Sequence, residues 1–170
     1  MSTLYLCTSV LRDHSLSYRL HGHGALLVAR RLTPMAMRFL TSTRIHCLQR
    51  LFVGPLSPLT QPWMLASAAA SPINIQHYAG QDDIFDLAAH LAEKIARNHA
   101  FQDGNKRTSL LSADVFLRLN NAQLTASDVC QSDELARAQV SVVTAACSVE
   151  ALCKYYRSIA KESDRHHSPE

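Results

Sequence analysis

Apolar residues recur at intervals of three and four along the middle of this chain. In DDIFDLAAHLAEKIARNH, Ile84, Leu87, Ala88, Leu91 and Ile95 share one face, which predicts an amphipathic helix. The acids that open it suit the positive end of a helix dipole. After a HAFQDG turn, residues 105–120 carry Leu110, Leu111, Ala113, Val115, Phe116, Leu117 and Leu119. Apolar around most of its circumference, this stretch is expected to be a buried central helix. Upstream, Ile45, Leu48, Leu51 and Phe52 predict a first helix capped by Thr41 or Ser42. GPLSPLTQP breaks it, with three prolines and a glycine. WMLASAAAS predicts an Ala-rich helix ending before Pro72. PINIQHYAGQ lacks a helical period and is expected to be a loop or short hairpin, able to accept a peptide by strand addition. Two more helices are expected downstream, in DELARAQVSVVTAAC capped by Ser132 and in VEALCKYYRSIAK capped by Ser148. The class is all-α.

Composition narrows the class without changing it. A chain of 170 residues, 47% hydrophobic and 18% charged, allows one globular domain with a real core plus an extension. No apolar run approaches the roughly 18 residues that span a bilayer. The five cysteines, Cys7, Cys47, Cys130, Cys147 and Cys153, form no CxxC pair and read as reduced, mostly buried thiols of an intracellular protein.

A net charge of +3 does not by itself point to nucleic acid, but its distribution is uneven. Residues 1–81 hold seven arginines and one acid, Asp13, a net of +6; residues 82–170 hold ten bases and thirteen acids, a net of −3. The Ser/Thr/Arg-rich residues 1–36 resemble a transit peptide, which would make the protein mitochondrial. The preferred reading is a disordered leader, or a start set ahead of a true initiator at Met35 or Met37, leaving the protein cytoplasmic. His21 and His23 have metal-ligand spacing but no nearby partners, so no metal is assigned to them. The expected organisation is a leader over 1–36, a domain over 37–162 and a disordered tail over 163–170.

The chemistry concentrates in HAFQDGNKRTS, residues 99–109. A helix opening at Asn105 presents unpaired amides, and its dipole favours anions there. Gly104 lets backbone approach a ligand. Lys106 and Arg107 are misplaced at the positive end of a helix unless an anion joins them. Asp103 sits where a carboxylate could hold Mg²⁺ beside a polyphosphate. Asn105 could bind phosphate or brace the loop. His99, as a neutral imidazole, could take the proton of an incoming hydroxyl, while Phe101 should anchor the loop in the core. Taken singly, His99 could be a helix cap, Asp103-Gly104 an ordinary turn, and Lys106-Arg107 a solvated face. Together, within nine residues, they point to a phosphate site. It is not a Walker loop, because asparagine separates Gly104 from Lys106.

HAFQDGNKRT followed by SLLSADVFLRLN resembles the Fic/Doc family, whose motif runs His-x-Phe-x-Asp/Glu-Gly-Asn-x-Arg. Lys106 and the continuation resemble its Doc (death-on-curing) branch. The likeness takes in RFLTSTRIH, LASAAASP with YAG, and DIFDLAAHLAEKIARNH, and covers residues 38–124. It implies a compact helical fold that transfers part of a nucleotide to a protein hydroxyl. Family members that transfer AMP carry glycine where this chain has Lys106 and a second arginine where it has Leu110. Both departures match the Doc pattern, in which the γ-phosphate goes to a threonine of elongation factor Tu.

The resemblance therefore implies a toxin-type protein kinase using ATP and Mg²⁺. An AMP transferase and an inactive Fic-fold binding module are the alternatives. Carried over, His99 is the base, Asp103 holds Mg²⁺, and Gly104, Asn105, Lys106 and Arg107 bind phosphates. Arg107 also offsets transition-state charge. Residues 71–80 would be the flap that docks the target, through Ile73, Ile75 and Tyr78. The family's self-restraining motif needs a glutamate followed by Gly or Asn, and this chain has none. Restraint would then come from a Phd-type antitoxin.

Overall fold

The computed structural model describes residues 36–125, 137–138, 140–141, 144 and 148–162. The leader expected over 1–36 (apart from Ala36), His21 and His23, the cap at Ser132 and the tail over 163–170 lie outside the described residues. So do Cys7, Cys130 and Cys147. Helix is present at 137–138 and 140–141, within the first of the two downstream helices expected.

Thr41 caps α1 (Ser42–Leu48), its hydroxyl accepting from the Arg44 N–H at 3.3 Å. The helix then widens into a π-helical turn, Gln49–Val53. Among the described residues the helices with defined bounds that follow are α2 (Pro62–Ala79), α3 (Ile84–Asn98), α4 (Asn105–Leu119) and α5 (Val149–Ile159). Ser148 caps α5 as expected, accepting from the Ala151 N–H. Two short strands, β1 (Ala122–Leu124) and β2 (Ala160–Glu162), pair antiparallel with Leu124 opposite Ala160. The helical periods upstream gave no sign of this ribbon. Among the described residues no helix is long and apolar enough to cross a membrane.

Helix α3 is the hub. Its apolar stripe, including Leu87, Ala88, Leu91 and Ile95, is fully buried and packs against α2, α4 and α5. Alanines at Ala88, Ala89, Ala92 and Ala96 let the neighbours come close. Helix α4 buries Leu110, Ala113, Phe116 and Leu117, which bears out the expected buried helix. Its buried side also holds polar Thr108, Ser109, Ser112 and Asp114.

The far end of α4 is thoroughly bonded. Asp114 accepts from the Leu124 N–H at 3.0 Å and from Arg118 Nε at 2.6 Å, so the buried carboxylate anchors β1. Asn120 accepts from the Arg38 N–H and donates to the carbonyls of Arg38 and Phe116. Tyr156 of α5 is fully buried, and burial pushes its phenol far above the usual range.

One expectation is corrected. Helix α2 does not stop before Pro72 but runs through it to Ala79, so residues 71–79 are helix rather than a hairpin flap. Proline removes one helical N–H. Here its ring is buried in line with Leu65, Ala68 and Ala69, and that packing outweighs one missing bond. Gly80, at φ 64°, ends the helix by donating to the Gln76 carbonyl at 3.0 Å. Ile73 and Tyr78 are therefore exposed helical residues, and Ile75 packs against the core.

Candidate active site

Six residues separate α3 from α4, and both ends of this loop are left-handed. His99 closes α3 at φ 46°, ψ 45°, a conformation uncommon for a residue with a side chain. Gly104 opens α4 at φ 80°, ψ 8°. Glycine is required there twice over: a Cβ at that position would stand 2.7 Å from Val53 Cγ1, below any normal contact.

A second segment holds the loop in place. Residues 57–61, in which Pro58 favours extended backbone on its N-terminal side, run antiparallel to residues 100–102. Leu59 pairs with Phe101. The Ala100 carbonyl accepts from the Thr60 N–H at 2.9 Å, the Gln61 N–H at 3.0 Å and Thr60 Oγ1 at 3.0 Å. The Gln102 N–H donates to the Pro58 carbonyl at 3.1 Å, and Gln61 Nε2 to the His99 carbonyl at 3.5 Å. Ser57 Oγ donates to the Asp103 carbonyl and accepts from the Asp103 N–H, both at 2.9 Å. Phe101 is buried, its ring centroid 6.0 Å from that of His46, in keeping with its expected anchoring role.

Asn105 turns back into the loop. Its Oδ1 accepts from the Phe101 N–H at 3.0 Å, and its Nδ2 donates to the Phe101 carbonyl at 2.7 Å. Of the two roles open to it in the sequence, the side chain takes the brace. Its contribution to an anion site would come from its backbone N–H.

The polar face of the loop is open. His99, Lys106 and Arg107 are exposed, and the Asp103 side chain is 82% accessible. Asp103 Oδ1 accepts from the Gly104 N–H at 2.6 Å, and Oδ2 lies 3.5 Å from Arg107 Nη2. No side chain caps α4, and its first turn holds no acid. The first intrahelical bond runs from Thr108 N to the Gly104 carbonyl at 2.8 Å. The amides of Asn105, Lys106 and Arg107 therefore precede the helix's own bonding pattern.

The uncapped amides of residues 105–107 and the two cations beside them suit a phosphate. The Asp103 carboxylate, still accessible, suits a Mg²⁺ ion completed by phosphate oxygens. No group of three or more His, Cys, Asp or Glu that could hold a metal occurs among the described residues. A cation here would thus depend on the bound anion.

The structure brings His99, Asp103, Gly104, Lys106 and Arg107 onto one loop and helix start. Ile73 and Tyr78 stand on α2 and form no flap. Sequence reasoning missed Ser57, Thr60 and Gln61, which it read as part of a helix break. A partial signal was Pro58, which biases the residue before it, Ser57, toward extended backbone.

The Fic/DOC family model matches residues 39–117. The chain is 40% identical over 70 residues to Toxin Doc of Mycolicibacterium smegmatis, covering 41% of this chain and 52% of that protein. It is 39% identical over 77 residues to Protein kinase doc of Escherichia phage P1, covering 45% of this chain and 57% of that protein. The chain thus spans about half the length of these curated relatives. The matched stretch runs from the start of the described core through the loop and most of α4.

Proposed function

From the match of residues 39–117 to the Fic/DOC family model, we infer a nucleotide-dependent protein transferase of toxin type, with phosphoryl transfer as its chemistry. The observation that carries this reading is the uncapped start of α4 with Lys106 and Arg107 in its first turn. Within the protein only the exposed Asp103 carboxylate, 3.5 Å from Arg107, offsets these cations, and without a further anion the arrangement opposes the helix dipole.

The proposed roles follow the exposed groups. Lys106, Arg107 and the amides at the start of α4 hold phosphate oxygens. Asp103 holds Mg²⁺. When bound, Mg·ATP supplies the phosphoryl group. His99 takes the proton from the attacking Ser or Thr hydroxyl as its oxygen bonds to phosphorus and the bond to the bridging oxygen breaks, leaving ADP and a phosphorylated protein. Arg107 offsets the charge that develops on the transferred group.

The family's AMP-transferring members carry a second arginine at the position of Leu110. Here Leu110 is 1% exposed and packed in the core, so that position offers no cation. This supports γ- over α-phosphate transfer. By the Doc resemblance, the acceptor is a translation factor resembling elongation factor Tu, and a Phd-type antitoxin is the restraining partner.

The test is side-by-side incubation of the protein and a cell lysate with ATP labelled at the α- or γ-phosphate. Label from the γ-position on one protein, absent with His99→Ala, is expected. Label from the α-position would replace the reading with AMP transfer. No label, together with no Mg·ATP binding by calorimetry, would leave a binding module.

A further inference from the structure

We infer that Ser57 is a positioning residue for Asp103, locking the backbone of the proposed Mg²⁺ ligand from outside the motif; the inference rests on the transferase reading above. The Ser57 hydroxyl makes two bonds to one residue. It donates to the Asp103 carbonyl and accepts from the Asp103 N–H, each at 2.9 Å. A single side chain that engages both backbone groups of a residue leaves little freedom about its φ and ψ. The carboxylate is then aimed from a fixed point, with Oδ1 on the Gly104 N–H and Oδ2 toward Arg107.

Ser57 is itself held from behind. Gln49, fully buried in the π-helical turn, donates through Nε2 to the carbonyls of Gly54 at 2.9 Å and Ser57 at 3.4 Å. The Ser57 N–H donates to the Gly54 carbonyl at 3.1 Å. Val53, the last residue of the same turn, fills the space beneath Gly104. One turn of π-helix therefore presents both the floor of the loop and the residue that clamps it. Such wide turns are frequent where a helix must serve a site.

Both bonds lie where solvent reaches them, so water can replace the hydroxyl if it is removed. The loss then falls on order at Asp103 rather than on the fold.

The experiment compares wild type with Ser57→Ala, Ser57→Thr and Ser57→Val. Threonine and valine differ in the hydroxyl at nearly equal volume, so their contrast survives any cost of the added methyl groups. In the ligand-free protein, amide exchange at Asp103 should quicken about tenfold in the alanine and valine variants and stay near wild type in threonine. In the transfer assay, the Mg²⁺ concentration giving half-maximal rate should rise by a similar factor in alanine and valine. The rate at saturating Mg²⁺ should largely recover.

Unchanged exchange in the valine variant would overturn the lock. A rate loss that Mg²⁺ does not repair would overturn the positioning role. A wild type with normal exchange but no Mg²⁺-dependent transfer would instead overturn the transferase reading, which keeps the two failures apart.

Discussion

Helices α3 and α4 follow one another in the chain and pack together, yet their N-terminal ends are built on opposite principles. At α3, Asp83 caps the helix by accepting from the Phe85 N–H at 3.0 Å, and Asp86 lies in the first turn. Arg157 of α5 pairs with Asp83 and places its guanidinium 5.1 Å from the Phe85 ring centroid. Close by, burial pushes the Cys153 thiol upward. Amides and dipole at this end are both answered from within the protein. At α4 the cap is a glycine, the first turn has two cations and no acid, and both charged side chains face solvent. One end is answered within the fold; the other has only the exposed Asp103 beside it.

Removing a group that completes the α4 site should have the largest effect. Arg107→Ala is expected to lower γ-phosphate transfer at least about a hundredfold, read as label incorporated per unit time. The melting temperature should hardly move, because the 3.5 Å pair with exposed Asp103 contributes little. A comparable loss of stability would erase the contrast between the two ends.

Gly104→Ala should come next. A positive φ and a contact of 2.7 Å with Val53 should together cost about 2–3 kcal/mol in urea unfolding. Asp83→Ala, at the answered end, should cost about 1 kcal/mol through the lost cap. It should leave Mg·ATP affinity by calorimetry unchanged, and weakened binding would mean that the two ends are not separate. The smallest change sharpens the contrast most. Lys106→Glu should stabilise the free protein by about 0.3–1 kcal/mol, since it gives α4 the acid that α3 already has. ATP is expected to raise the melting temperature of the wild type and to leave that of this variant unchanged.

How much of this was legible in the sequence differs between the two ends in the same way. The α3 period and the acids that open it are local, and the helix formed where the pattern placed it. The 99–107 motif is local too, so its exposed groups were bound to share one loop and helix start. What escaped was set by contacts far apart in sequence. Ser57 meets Asp103 across 46 positions and Thr60 meets Ala100 across 40, and no periodicity encodes such pairs. Pro72 misled for a related reason. Propensity counts the missing N–H, whereas the burial that keeps α2 whole depends on its neighbours. The β1–β2 ribbon needs α5 to bring residue 160 back beside residue 124, a return that three-residue segments cannot announce.

The Ala100 carbonyl, with three donors converging on it, bears on kinetics. A loop already pinned near its start should have no ordering step to complete before an anion is captured. Arrival itself then sets the pace, and its rate should rise as ionic strength falls, because Lys106 and Arg107 draw the anion in from solution. A loop that had to fold around its ligand would add a slower phase, independent of concentration. In stopped-flow mixing this protein should give one phase.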